Sequence, residues 1–296
     1  MLYSLLISTR PRQWVKNIFV FPAILFSQHL FEIDYLLRSV WAALCFCFLS
    51  GAVYLLNDVL DRERDRIHPL KSKRPIASGY VSSRVAIATS VVLSTGSIWM
   101  SFWLNEGFGW VALTYAMLNV AYSIRLKHIV LLYVLIVASG FLLRALGGAL
   151  AIQVFISTWF ILCTFMLALF LAVIKRRQEL VALEGRAGEH RSILEAYSLP
   201  FLDQLISVLT ASTLVCYALY AMGVGDVMGV ETRMQWTIPF VLYGMLRYLY
   251  IAYHVGSGEN PTLVVWRDRP LQILSLIHIS EPTRRYAISY AVFCLK

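Results

Sequence analysis

Long apolar segments alternate with short polar segments along almost the whole chain. Apolar runs of about 18 to 22 residues recur, and a helix of that length crosses a hydrocarbon core of about 30 Å. The runs are continuous and do not alternate between polar and apolar residues, which disfavours an outer-membrane barrel. The pattern predicts membrane spans at 18–31, 39–57, 85–104, 110–124, 129–152, 155–174, 204–222 and 236–254. The first span is short, and Pro22 is expected to kink it or to mark its entry.

The composition supports a polytopic helical membrane protein. The 296 residues are 59% hydrophobic and only 15% charged, with a mean hydropathy of +0.67, whereas a soluble domain is about 25% charged. The first nine residues are apolar and precede Arg10 and Arg12. A signal peptide carries its positive charge before its apolar core, so this stretch is interpreted as an interfacial segment.

The positive charge lies in the N-terminal segment and in the loops after the second, fourth, sixth and eighth spans. Such one-sided charge predicts a multi-pass protein of the plasma (inner) membrane whose N-terminus and basic loops are cytoplasmic. The net charge of +9 is thereby explained by topology and by anionic ligands, and no nucleic-acid partner is expected. The five cysteines have no metal-binding spacing, so neither a disulfide nor a zinc site is assigned.

An acidic cluster follows the second span, in the sequence Asn-Asp-Val-Leu-Asp-Arg-Glu-Arg-Asp-Arg at 57–66. Spacings of three and four put Asp58, Asp61 and Asp65 on one helical face, and Asn57 and Asp61 can converge on one point. Oxygen ligands clustered in this way suit Mg²⁺, which usually bridges to substrate phosphates. A charge run after a span is most often a solvated loop, but topology alone does not require regularly spaced aspartates. The pattern predicts an enzyme that handles a diphosphate through Mg²⁺, with metal ligands among Asn57, Asp58 and Asp61.

Cations recur at the helix ends that the charge pattern places on the same side of the membrane. Most of them are explained by topology or snorkelling. Arg144 and Arg247 differ, because a charge inside a span is expensive and usually faces a cavity or a partner. Gly147 and Gly148 follow Arg144 and permit close helix approach, so a purely structural Arg144 also remains possible.

Several motifs together resemble a known family. They are Arg10-Pro11-Arg12-Gln13-Trp14-Val15-Lys16-Asn17, the acidic cluster with His68-Pro69-x-Lys71-x-x-Arg74-Pro75, Tyr122-Ser123-x-x-Leu126-Lys127-His128, Lys175-Arg176-Arg177-x-Glu179-Leu180 and Gly188-Glu189-His190-Arg191. In this order they resemble the UbiA-type intramembrane prenyltransferase superfamily, and within it the decaprenyl-phosphate phosphoribosyltransferase branch. The resemblance covers about 8–271.

The resemblance implies an all-α bundle of eight to nine transmembrane helices around a cytoplasm-facing cavity. It also implies transfer of 5-phosphoribosyl from phosphoribosyl diphosphate to a polyprenyl (decaprenyl) phosphate, for the synthesis of cell-envelope arabinose donors. Mg²⁺ would be the cofactor, with Asn57 and Asp61 as ligands and Asp65 supporting the metal or the ribose. Lys71, Arg74, Tyr122 and Lys127 would hold the phosphates of the donor, and Lys127 is counted with Asp61 and Asp65 among the catalytic candidates. Lys16, Arg144 and Lys175 are candidates for either the donor or the lipid phosphate.

The chemistry of that reaction suits these residues. Loss of diphosphate gives the anomeric carbon oxocarbenium character, and cations with Mg²⁺ stabilise the departing charge. The acceptor is already an anionic phosphate, so a strong general base is not needed.

Two features depart from the family pattern. Tyr133 stands where the branch carries an aspartate after the Tyr-Ser-x-x-Leu-Lys turn, which would weaken a metal contact or the orientation of Lys127. Residues 275–296 contain charges and a proline that a lipid-facing ninth helix should not contain. They resemble translated sequencing-adapter sequence, so we expect a catalytic domain at 1–274 followed by a non-native tail. A genuine amphipathic cytoplasmic tail is the alternative.

Two other functions compete with this one. An aromatic prenyltransferase of the same superfamily would use a prenyl diphosphate, and would be expected to carry two acidic motifs where this chain has one. An anion or lipid transporter would suit Arg144 and Arg247, but such proteins often have paired halves with interrupted helices. No second copy of the 57–65 motif is present.

Overall fold

The computed structural model describes residues 2–27, 29–69, 71–155, 157–182, 196–223, 232–254 and 268. Within these residues the chain forms helices and turns, and no strand. It divides into two compact units, Met1–Ile136 with Leu143–Phe155, and Val137–Leu142 with Ile156–Lys296. The tail that we expected from residue 275 onwards lies outside the described residues, as does the 188–191 motif.

The first unit contains most of the motifs. Its helices are α1 (Leu2–Ser8), α2 (Pro22–Phe26), α3 (Ile33–Leu60), α4 (Arg62–Ile67), α5 (Ser83–Leu104), α6 (Glu106–Ile124) and α7 (Leu132–Ile152). Short 3₁₀ helices lie at Pro11–Val20, Lys71–Lys73 and Leu126–His128. Residues 137–142 in the middle of α7 group with the second unit.

The predicted first span is wrong in its bounds. The segment consists of the 3₁₀ helix Pro11–Val20 and the short helix α2, which ends at Phe26. Pro22 lies at the first position of α2, where its missing N–H group is not needed. Hydropathy predicted one continuous span here because the residues on both sides of Phe21 are apolar, and hydropathy does not distinguish a 3₁₀ helix from an α-helix.

Capping residues explain several other shifted boundaries. The Ser82 side chain accepts a hydrogen bond from the backbone N–H of Val85 at the start of α5. Asn105 Oδ1 accepts from the backbone N–H of Phe108 at 3.1 Å, so α6 begins before the predicted residue 110. Such side-chain oxygens satisfy backbone donors that a helix N-terminus leaves without partners. Hydropathy alone therefore placed the spans but not their ends.

Close packing of small and aromatic residues builds the interior of the first unit. The Phe46 ring packs edge-on against Phe108 and Tyr115, with ring centroids 5.7 and 5.3 Å apart. On α7, a Cβ added at Gly147 would lie 2.7 Å from the Phe46 ring, and one at Gly148 would lie 2.0 Å from the carbonyl oxygen of Val20. The prediction that these glycines permit close helix approach is confirmed.

The second unit contains α8 (Thr158–Ala182), a 3₁₀ helix (Thr232–Thr237) and two further helices, α9 (Leu199–Ala221) and α10 (Ile238–His254). The helices α8 and α9 pack along one another. Phe170 on α8 and Tyr248 on α10 are both almost completely buried, with ring centroids 5.8 Å apart. The first turn of α9 is capped by Ser198.

Five described helices are long and apolar enough to cross a membrane, namely Ile33–Leu60, Ser83–Leu104, Leu132–Ile152, Thr158–Val181 and Leu199–Ala221. They correspond to the predicted second, third, fifth, sixth and seventh spans. The predicted fourth and eighth spans correspond to α6 and α10, of 19 and 17 residues, which do not meet both conditions. The chain is a multi-pass helical membrane protein.

Candidate functional site

The acidic cluster occupies the junction between α3 and α4. Asp61 lies between the two helices, yet its backbone N–H bonds the Asn57 carbonyl at 2.9 Å and its own carbonyl accepts from Asp65 N–H at 2.8 Å. These bonds preserve the four-residue repeat across the junction. The spacing predicted that Asp58, Asp61 and Asp65 share one face. Asp58 and Asp65 do face the same side, where one arginine reaches both, whereas Asp61 meets Lys127.

One arginine joins two of the carboxylates. Arg74 Nη1 donates to Asp65 Oδ2 at 2.6 Å and to Asp58 Oδ1 at 3.2 Å. Both aspartate side chains are buried, with 4% and 5% of their surface exposed, whereas 28% of the Arg74 side chain is exposed. Buried carboxylates require such partners, because an unpaired charge away from water is costly.

A second arginine reaches the same acidic oxygen from the N-terminal segment. Arg10 Nη2 donates to Asp58 Oδ1, and the Arg10 guanidinium lies 4.8 Å from the centre of the Tyr54 ring. Arg10 has φ 55° and ψ 63°, a left-handed conformation that is uncommon for arginine. Arg10 was not predicted as a site residue, although it begins the N-terminal motif.

Lys127 meets the third carboxylate. Its Nζ donates to Asp61 Oδ1 at 2.7 Å across 66 residues of sequence. Lys127 lies in the 3₁₀ turn that follows α6, and 16% of its side chain is exposed against 24% for Asp61. This charge-assisted bond brings together two of the predicted catalytic residues.

Arg144 lies deep in the first unit with only 6% of its surface exposed. Its Nε donates to Asn17 Oδ1 and its Nη2 to the Tyr115 hydroxyl, both at 2.7 Å. Asn17 Nδ2 in turn contacts Cys47 Sγ at 3.1 Å. The prediction was that this intramembrane charge faces a cavity or a partner, and the structure shows partners. Asn17 and Tyr115 were not predicted as partners of Arg144, although Asn17 ends the N-terminal motif.

The other predicted residues are distributed over both units. Asn57, Lys16, Lys71 and Tyr122 are half-buried side chains of the first unit. Lys175 is half-buried on α8, in the second unit. The described contacts therefore join Asp58, Asp65 and Arg74 to one another and Asp61 to Lys127.

The second unit has a polar cluster of its own. Asp203 Oδ1 accepts hydrogen bonds from Arg177 Nε and from the Tyr253 hydroxyl, each at 2.6 Å. The Arg177 guanidinium stacks 3.9 Å from the centre of the Tyr253 ring. Arg247, the other cation predicted inside a span, pairs with Asp268 at 2.8 Å.

The residues of the first unit fit a metal ion that is shared with a substrate. Among the described residues no three acidic, histidine or cysteine side chains are placed to hold an ion by themselves. Asp58 and Asp65 are bonded to arginines, whereas Asp61 gives only Oδ1 to Lys127 and lies one turn from Asn57. Mg²⁺ is commonly held by one or two carboxylates with substrate phosphates completing its shell. Asn57 and Asp61 fit that arrangement.

Comparison with known proteins identifies relatives over nearly the whole chain. Residues 18–263 match the model of the UbiA prenyltransferase family. The chain is 34% identical to a protein of Mycolicibacterium smegmatis named decaprenyl-phosphate phosphoribosyltransferase, over 93% of this chain and 90% of that relative. The Mycobacterium tuberculosis protein of that name is 33% identical, over 92% and 90%. A UbiA homologue from Archaeoglobus fulgidus, solved with GPP and Mg²⁺, has a TM-score of 0.71 at 20% identity, covering 98% of this chain and 99% of the other.

Proposed function

Because the chain belongs to the UbiA prenyltransferase family, we propose that it transfers 5-phosphoribosyl from phosphoribosyl diphosphate to decaprenyl phosphate and releases diphosphate. The relatives that bear this enzyme name span about nine-tenths of the chain and support the choice of substrates. The observation that carries the proposal at the site is the pairing of every aspartate of the cluster with a cation. Such a cluster suits a polyanionic donor, because the donor's phosphates can accept hydrogen bonds from the cations that are paired with the aspartates here.

The roles follow from the contacts. Lys127 Nζ donates to Asp61 Oδ1. This bond would orient the Asp61 carboxylate for a bound metal and would keep the ammonium close to the leaving group. Asn57 and Asp61 would hold Mg²⁺, which when bound neutralises charge on the departing diphosphate. Arg74, with part of its side chain exposed, would donate to the same phosphates. Asp65 fixes Arg74 in place.

The remaining cations divide between the two substrates. Lys71 and Tyr122 are assigned to the donor, and Lys16 and Arg144, both in the first unit, to phosphate groups of either substrate. Lys175, on α8, is likewise assigned to a phosphate group of either substrate. Since the acceptor phosphate is already anionic, the chain needs to orient it and exclude water, and does not need a strong base.

The experiment is a transfer assay with the full chain in nanodiscs, using labelled phosphoribosyl diphosphate, decaprenyl phosphate and Mg²⁺. We expect lipid-linked label that requires Mg²⁺ and is lost in Asp61→Ala. Glu63→Ala is the matched control, because Glu63 is an exposed acid of the same segment that pairs with Arg66 only at the surface. If label is transferred from a prenyl diphosphate to an aromatic acceptor, and none from phosphoribosyl diphosphate, the protein is an aromatic prenyltransferase.

We also propose that the N-terminus and the acidic cluster face the cytoplasm of the plasma membrane. The support is the concentration of cations in alternate loops. Single cysteines introduced at Ser72 and at Asn105, on opposite sides in this topology, should react with an impermeant maleimide from opposite faces of oriented vesicles. Labelling of both from one face would contradict the orientation.

A further inference from the structure

Asp58 lies at the centre of a pair of arginines. Its Oδ1 accepts from Arg10 Nη2 and from Arg74 Nη1, so two guanidinium groups converge on one oxygen atom. Asp65 Oδ2 accepts from the same Arg74 nitrogen, Nη1. The two aspartates and two arginines have a net charge of zero, but they differ in how far they are exposed. The carboxylates are 4% and 5% exposed, whereas the arginines are 29% and 28% exposed. The face that the cluster presents outward is therefore positive.

Both arginines keep donors for a further ligand. A guanidinium has five N–H groups. Arg74 uses only those of Nη1, and Arg10 uses only Nη2, in the hydrogen bonds that join them to described residues. The Arg10 side chain is also braced by the Tyr54 ring at 4.8 Å. Two braced guanidiniums with unused N–H groups match the geometry by which arginine binds phosphate oxygens.

The backbone of Arg10 is held in a costly conformation. Its φ of 55° lies in the left-handed region, and a residue before proline is normally pushed towards extended backbone. Such strain persists where the surroundings over-determine the conformation, and it concentrates at ligand-binding positions. Here it turns the Arg10 side chain back towards the end of α3, 48 residues away in sequence.

We propose that Arg10 and Arg74 form a fork that binds the diphosphate group of the donor, and that Asp58 positions this fork and does not bind the metal. The proposal rests on the proposed function for the identity of the donor. It adds Arg10 to the binding residues and changes the role expected for Asp58. The diphosphate is favoured over the lipid phosphate because Arg74 is tied through Asp65 to the segment that carries Asp61.

Binding of inorganic diphosphate with Mg²⁺ to the full chain in nanodiscs tests the fork directly. Arg10→Gln should weaken this binding by about tenfold or more, the loss expected for one charge-assisted hydrogen bond. Arg12→Gln is the matched control, since Arg12 is an exposed arginine of the same segment, and should stay within about twofold of the wild type. Wild-type binding by Arg10→Gln would overturn the proposal.

A double variant separates ligand binding from charge neutralisation. If Arg10 only neutralised Asp58, then Arg10→Gln combined with Asp58→Asn would restore binding, because one cation and one anion are removed together. The fork predicts that the double variant binds as weakly as Arg10→Gln. Arg10→Lys retains the charge beside Asp58, and therefore the fold, but should still bind several-fold more weakly because the fork is lost.

The role of Asp58 is tested by the dependence of transfer on Mg²⁺. Asp58→Asn should raise the KM for the soluble donor and leave both the KM for the lipid phosphate and the half-activating Mg²⁺ concentration unchanged. Asp61→Asn, at a proposed ligand, should raise that Mg²⁺ concentration. If both variants raise the half-activating Mg²⁺ concentration, Asp58 belongs to the metal site. If Asp58→Asn raises only the KM for the lipid phosphate, the fork binds the acceptor. Diphosphate is a product common to phosphoribosyl and prenyl donors, so its binding remains measurable even if the proposed transfer fails.

Discussion

Gly148→Ala tests how α7 is positioned against the N-terminal 3₁₀ helix. The added Cβ would lie 2.0 Å from the carbonyl oxygen of Val20 and 2.8 Å from its carbonyl carbon. Both are backbone atoms, so no side-chain rotation relieves the clash. One backbone must move by about 1.4 Å to bring the 2.0 Å approach to the 3.4 Å of ordinary contact. Asn17 lies one turn before Val20 and binds Arg144, which lies one turn before Gly148. The displacement therefore acts on that hydrogen bond as well.

The magnitude follows from two opposing contributions. Overpacking in a close-packed interior costs about 1 to 3 kcal/mol, and a backbone clash lies at the upper end of that range. Alanine gains about 1 kcal/mol over glycine inside a helix, so the net loss for Gly148→Ala is about 2 kcal/mol. Gly96→Ala is the matched control, because Gly96 is also helical and a Cβ there meets nothing within 4 Å. The two variants should differ by about 3 kcal/mol.

The assay is unfolding of the purified protein in mixed micelles titrated with SDS, followed by tryptophan fluorescence. Gly96→Ala should unfold at the same SDS fraction as the wild type or at a higher one, and Gly148→Ala at a clearly lower one. Transfer activity at saturating substrate should also fall in Gly148→Ala. If Gly148→Ala is as stable as Gly96→Ala, the close approach of α7 to Val20 does not exist and the reasoning is refuted.

Three further variants probe single contacts. Lys127→Met removes the ammonium that donates to Asp61. The kcat/KM for transfer should fall by about tenfold to a hundredfold, the loss expected for one hydrogen bond to a charged group. An unchanged kcat/KM would contradict this. Ser90→Ala removes the interhelical bond from Ser90 Oγ to the Ala52 carbonyl at 2.8 Å, and should lower stability in the SDS titration by about 0.6 kcal/mol, up to about 1.7. A larger loss would show that Ser90 does more than bridge α5 and α3. Arg144→Gln deprives Asn17 and Tyr115 of their donor. The variant should lose about 2 kcal/mol or more of stability in the same titration. A variant as stable as the wild type would show that these hydrogen bonds do not stabilise the fold.

The acidic cluster shows how far local spacing reaches. Intervals of three and four residues predicted one shared face for Asp58, Asp61 and Asp65. Asp58 and Asp65 do share a side, because the helical hydrogen bonds continue across Asp61, but Asp61 itself meets Lys127. The same spacing grouped Asp58 with the metal ligands. It contained no information about Arg10, since that contact depends on a left-handed backbone conformation between α1 and the 3₁₀ helix.

Arg144 shows the opposite case. The cost of a charge inside a membrane span predicted that Arg144 faces a cavity or a partner, and Asn17 is such a partner. Its identity was not predictable, because Asn17 lies 127 residues away and carries no charge. Hydropathy likewise located most spans but carried the first one through the break at Pro22.

By itself the sequence determined that the chain is a helical multi-pass membrane protein with a cluster of acidic and basic residues after its second span. The reason is that lipid forces backbone polar groups to bond locally, so helices are readable from composition along the chain. Only the tertiary structure decided which cation meets which carboxylate. The pairs Arg10–Asp58 and Lys127–Asp61 are separated by 48 and 66 residues. Gly148 likewise packs against Val20, which is distant in the sequence. Packing of that kind is set by shape across distant segments, which no local pattern records.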